Sequence, residues 1–193
     1  MPVLGQRLWN ATCRGGGILL LVLATSGAAE PQTRLARETD LKAVFLFNFA
    51  HFIQWPPDTV PDGPAPFVIG ILGQNPFGQV LDQVVAKEFV GKHRLVVRRF
   101  RDVHEVTADC HILYVSPSES PQLEHIFDAM KGKSILTVGD TEGFAEHGGM
   151  VQFMVMGNKL RVRVNVATAQ AAHLTISSQL LRQAEIVEPG PGK

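Results

Sequence analysis

The segment from Leu41 to Trp55 carries four phenylalanines, Phe45, Phe47, Phe49 and Phe52, and ends on a tryptophan just before Pro56. Thr39 or Asp40 can cap a helix at its start, because a short side-chain oxygen accepts from the orphan N–H groups of a first turn. Pro56 stops that helix, since its ring removes a donor and restricts the residue before it. A helix from Thr39 or Asp40 to Trp55 is therefore predicted. Apolar residues occupy most of its circumference, so it must be covered on several sides, by its own domain or by another chain.

Upstream, Arg7 and Arg14 precede the apolar run Ile18 to Ala24, and the small residues Ser26 to Ala29 follow where a signal peptidase would cut. Residues 1–29 read as a cleaved leader, which implies export. The run is shorter than the roughly 18 residues that span a bilayer, and no later segment reaches that length without a polar interruption. A soluble mature chain that does not itself span a membrane is expected. Removing the leader leaves about 164 residues, enough for one core and one domain. The expected boundaries are a mobile segment at 30–38, a single domain at 39–187 and a mobile tail at 188–193. The 18 basic and 18 acidic residues cancel, and loss of Arg7 and Arg14 leaves 16 against 18, or −2. That balance argues against nucleic acid, whose phosphates demand a basic surface. Cys110 alone remains after Cys13 is removed, so an internal disulfide is excluded. It reads as a buried small hydrophobe, with an intermolecular bridge as the alternative.

Pro56, Pro57, Pro61, Pro64 and Pro66 make the stretch from Trp55 to Pro66 a loop. Phe67 to Leu72 is a continuous apolar run of buried-strand length, and Asn75-Pro76 then predicts a helix to Ala86. Leu95 to Phe100 reads as an edge strand and His111 to Val115 as a central one. Ser120-Pro121 caps a helix with Leu123, Ile126, Phe127 and Met130 on one face, ended by Gly132, and Ser134 to Val138 is another short strand. Val151, Phe153 and Val155 alternate with Gln152, Met154 and Met156. After the turn Gly157-Asn158, Leu160, Val162 and Val164 alternate with Arg161 and Arg163. This predicts an antiparallel hairpin with one buried face and a second face of methionines and arginines. A last helical stretch, Ala167 to Glu185, is expected to break near His173 and Ser177, because Leu174-Thr175-Ile176 is a poor helix interior. The fold class is α/β: a mixed sheet with helices on both faces and a C-terminal antiparallel hairpin followed by helix.

Cys110 beside His111 suggests a nucleophile and its base, but neighbouring side chains in a strand point to opposite faces and cannot hydrogen-bond. The turn Gly70 to Gly78 matches neither G-x-G-x-x-G nor the P-loop pattern, and Pro76 removes a donor that a phosphate would need. None of the seven histidines forms an i, i+4 pair, so neither a metal nor another cofactor is expected. No carboxylate pair marks acid–base chemistry, and no catalytic residue is assigned. Binding surface remains. Phe49, Phe52 and Trp55 are candidate anchors, and Arg161 and Arg163 candidate orienting charges, because aromatics and arginines carry most interface energy. The rival readings are core packing for the helix and a solvated face for the arginines. A different function, small-ligand carrier or sensor, would use a pocket at the strand ends near Gly73 to Phe77.

Three segments resemble the YfiR-like family of exported bacterial proteins. Leu41 to Pro56 is similar to the family's "KAAFLYNFAKFVEWP" opening, with Phe47 for tyrosine, His51 for lysine and Gln54 for glutamate. Gly70-Ile71-Leu72-Gly73 with Asn75-Pro76-Phe77-Gly78 is the second. The third runs through Ile135 to Val138, Gly143 to Glu146 and Gly148 to Phe153, and closes with Arg163-Val164-Asn165 and Ile176 to Leu181. The resemblance implies a periplasmic α/β protein, often a homodimer, that binds the periplasmic sensor domain of an inner-membrane diguanylate cyclase, holds it inactive and so limits cyclic di-GMP and biofilm. Some relatives carry cysteine pairs that allow redox control, which Cys110 alone cannot reproduce.

Overall fold

The computed structural model describes residues 30–60, 63–157 and 159–187, with side chains from Arg34 onward. The leader at 1–29, the tail at 188–193 and Asn158 of the expected turn lie outside the described residues.

Helix α1 spans Glu30–Phe52. It starts before Thr39, because Glu30 to Glu38 is rich in good helix formers and Pro31 falls in the first turn, where a missing N–H costs nothing. Residues 30–38 are therefore part of the helix. The helix also stops short of Trp55. Ile53–Gln54 is a strand, β1, and the Ser177 N–H donates to the Phe52 carbonyl at 2.9 Å, capping the helix end. Ala43, Leu46, Phe49 and Ala50 form the buried stripe.

The remaining elements are β2 (Phe67–Leu72), α2 (Val80–Val85), β3 (Phe89–Val90), β4 (His93–Phe100), β5 (Cys110–Val115), α3 (Leu123–Met130), β6 (Leu136–Gly139), β7 (Val151–Met156), β8 (Lys159–Val164), α4 (Val166–Ala171), β9 (Thr175–Ile176), α5 (Ser178–Leu181) and β10 (Glu185–Ile186). Eight strands form one sheet in the order β10-β8-β7-β6-β5-β2-β4-β3. Strands β4, β2, β5, β6 and β7 run parallel, β8 is antiparallel to β7, and β10 runs parallel to β8. β2 and β5 are buried along their whole length, as their unbroken apolar runs require. A separate two-stranded pairing joins β1 to β9, Ile53 opposite Ile176. The mixed α/β sheet, the hairpin and the helix after it agree with the sequence reading.

Three further segments differ from expectation. Ser120-Pro121 lies within a 3-10 helix, Pro117–Gln122, and does not cap α3, which begins at Leu123. Asn75 caps a turn instead of a helix: its Oδ1 accepts from the Phe77 N–H and its Nδ2 donates to the Gly78 carbonyl, both at 2.9 Å. Gly78 has φ +55°, so the helix begins only at Val80. The C-terminal stretch breaks where anticipated, with His173 at φ 59°, but β9 fills the break and Glu185–Ile186 is a strand. One face of the sheet packs against α1, α2, α4 and α5 through Leu46, Phe49, Leu81, Ala169 and Leu180. The other packs against α3 and the loop carrying Phe144, through Leu113, Ile126 and Met130.

Candidate functional site

Strand β6 pairs with β7 only at Val151 and Gln152, whereas β7 and β8 stay paired from Val151–Val164 out to Met156–Lys159. The distal half of the hairpin therefore projects beyond the neighbouring strand as an arm. Side chains that would face a core near the strand base lose their cover at its tip: Val155 is 43% and Met156 61% exposed. The Arg34 guanidinium donates to the Gly157 carbonyl and sets the start of α1 against this tip. Leu35, next in the chain, is 65% exposed. Apolar groups on an arm held by backbone pairing and a helix make a preformed surface.

The expected anchors are distributed unequally. Phe49 is fully buried, stacked on Phe153 with centroids 5.9 Å apart and tilted against Phe45, so it packs in the core. Phe52 and Trp55 are half-buried, and Trp55 sits edge-on to Phe67 at 5.0 Å. Arg163 bonds Glu146 at 2.9 Å and Glu185 at 3.1 Å, which uses its charge within the chain. Arg161, opposite Met154, is exposed and forms no ion pair among the described residues. Met156 lies on the hairpin face of methionines and arginines expected from the sequence, whereas Val155 and Leu35 were not among the candidates, because alternation marks which face a residue occupies and not how far a strand outruns its neighbours. The short run Leu136 to Gly139, set against six-residue β7, was the available signal.

At the carboxyl ends of β2 and β5, the place considered for a ligand pocket, the turn after Val115 fills the space. Ser118 Oγ accepts from the Gln74 N–H at 3.0 Å, and a Cβ at Gly73 would collide with Ser118 and Glu119. A groove of about 550 Å³ lies elsewhere, between Trp55, Asp58, Ser134 and His173.

Cys110 and His111 occupy opposite faces. The Cys110 thiol lies in the core against Gly70 and donates to the Ile112 carbonyl, and burial pushes its pKa up to about 12. His111 accepts at Nδ1 from the Val68 N–H, 3.1 Å, so Nε2 is the donor to the Thr59 carbonyl at 3.0 Å. Its imidazole stacks on Phe67. Burial holds its pKa below the ordinary value, although the Thr59 bond pulls upward. Such a thiol and such an imidazole cannot act as nucleophile and base on each other. Beyond β6, Lys42 of α1 bonds Asp140 and Glu38, each at 2.6 Å. Burial works to lower the Lys42 pKa, but these two carboxylates outweigh it and hold the ammonium above its usual range. Tyr114 is buried beneath them, and burial, then Asp140, raises its phenol. The cluster clamps α1 to the sheet.

Among the described residues no helix is long and apolar enough to cross a membrane, and no group of three or more His, Cys, Asp or Glu side chains could hold a metal. No curated protein matches the sequence. Among solved structures, an ABC domain in complex with L-Trp from Streptococcus pneumonia superposes with a TM-score of 0.48 at 10% identity, over 63% of this chain and 55% of that one. This chain therefore spans about half the length of that structure. The family model described as YfiR/HmsC-like matches residues 39–185, from the helix that carries Lys42 to the strand that closes on β8. The chain belongs to the YfiR/HmsC-like family.

Proposed function

We propose that the chain is a periplasmic negative regulator that binds the periplasmic sensor domain of an inner-membrane diguanylate cyclase and holds its cyclic di-GMP output low. Family membership across 39–185 supports the regulatory role. The observation that carries the docking mode is the projecting arm, which exposes Val155 on one face and Met156 with the uncommitted Arg161 on the other, and whose tip the start of α1 reaches through Arg34. A partner that covers this surface removes apolar area from water at roughly 25 cal/mol per Å² and gives Arg161 an acidic neighbour at the rim. Phe52 and Trp55 lie at the far end of α1, and in this reading they support the fold. Leader cleavage at Ala28 or Ala29 and a homodimer belong to the same proposal.

The test is a deletion strain complemented in trans. Loss of the gene raises cellular cyclic di-GMP, the wild-type gene restores it, and Met156→Glu fails to restore it although the protein accumulates and stays folded. Unchanged cyclic di-GMP on deletion refutes the regulatory role. Full restoration by Met156→Glu refutes the docking surface alone.

A further inference from the structure

Six of the 18 lysines and arginines lie between Lys87 and Arg101, against one carboxylate, Glu88. In a chain of zero formal charge this concentrates cation on one side of the molecule: β3 and β4, at the sheet edge opposite the hairpin. Arg98 is paired with Asp109 and Arg99 with Asp82. Lys87, Lys92, Arg94 and Arg101 are exposed and take part in no ion pair among the described residues.

The backbone of the same strand is unfinished. β3 covers β4 only at His93 and Arg94. The Leu95 N–H still reaches the Glu88 carbonyl at 3.0 Å on the outer side, while the Phe100 carbonyl accepts from the Gly73 N–H on the inner side. Backbone direction alternates along a strand, so the N–H and C=O of Val97 and Arg99 point outward beyond the end of β3. No strand pairs with them among the described residues. Val96 and Val97 are only half-buried, and Phe89 is 52% exposed.

We propose that the outer edge of β4 is a strand-addition site for an extended acidic segment of a partner protein, apolar at its centre and bearing carboxylates toward both ends. An open edge supplies alternating donors and acceptors, and a peptide backbone satisfies both kinds. A phosphate backbone would satisfy the guanidinium groups but offers no donor to the outward carbonyls. A second copy of this edge would set Arg94 and Arg98 against like charges, which disfavours self-pairing. Asp and Glu side chains flanking a Val-rich centre complement Lys92, Arg94 and Arg101 around Val96 and Val97. The site is independent of the hairpin arm, so one molecule can hold two partners at once.

The probe is the labelled peptide Asp-Glu-Thr-Val-Val-Thr-Glu-Asp, titrated into the purified chain by fluorescence anisotropy, with amide hydrogen exchange read in parallel. Binding is expected to weaken steeply with salt and to slow exchange at the Val97 and Arg99 amides. Backbone N-methylation of the peptide at one alternating set of residues should lower affinity roughly tenfold or more, and at the other set less than about threefold, because only one set faces the protein. The double variant Arg94→Glu, Arg101→Glu, with both side chains on the surface, should bind roughly tenfold more weakly at unchanged melting temperature. No binding, binding without protection at Val97 and Arg99, or equal loss from both methylated sets overturns the proposal. So does protection that grows with protein concentration in the absence of peptide, which would indicate self-pairing. Each of these failures leaves the cyclase reading untouched, since that reading turns on Met156.

Discussion

His111 is a titratable group whose neutral form the fold selects, with both ring nitrogens engaged and the ring stacked on Phe67. Its folded pKa lies below the unfolded value of 6.5. As pH falls, the unfolded chain therefore takes up the proton first, and stability drops below about pH 6.5 by at most ~1.4 kcal/mol per unit until the folded imidazole also titrates. Urea denaturation from about pH 8 to about pH 5 should show this slope in the wild type and a flatter one in His111→Gln, the variant being less stable at the alkaline end. Parallel profiles would assign the acid loss to other groups. The opposed directions of Cys110 and His111 were readable from strand alternation alone. The His111 bond to Thr59 was not, because it depends on how the proline-rich loop returns to the sheet. Phe49 shows the same limit: composition marks it as sticky, but only the position of Phe153 makes it core.

An element's length relative to its neighbours decides which apolar residues become surface. Helix α1 is aromatic almost all round, and the sheet, α2 and β1 absorb most of it, leaving Leu35, Leu41 and Val44 outside. The hairpin outruns β6 and leaves Val155 and Met156 outside. Phe49→Ala should therefore destabilise the protein by about 3–5 kcal/mol, as for any large core truncation, whereas Met156→Glu should shift stability by no more than about 0.5 kcal/mol. Chemical denaturation of the two variants side by side separates core from arm. Equal losses would mean that Met156 is enclosed. The hairpin was legible because period-two alternation on both sides of Gly157 is a local signal. The end of α1 at Phe52 was not, since Ile53 leaves the helix to meet Ile176, a residue far along the chain.

At the scale of the whole molecule, the sequence supports a mixed sheet covered on both faces, yet no local pattern encodes the order β10-β8-β7-β6-β5-β2-β4-β3. Crossovers obey handedness and packing across distances that periodicity does not sample. The early and late parts of the chain are also interlocked: β1 is completed by β9, the Phe52 carbonyl is capped by Ser177, and β8 is covered by β10. A chain ending at residue 172 should lose these closures together and show no cooperative urea transition by circular dichroism, while one ending at residue 187 should retain it. Cooperative melting of the shorter chain would show that α1 is seated without β9. The clasp between β1 and β9 also sets a timetable. A polypeptide leaving the ribosome, or threading head-first through a secretion pore, cannot finish its fold until its final stretch emerges, and this delay keeps it pliant while it is still in transit.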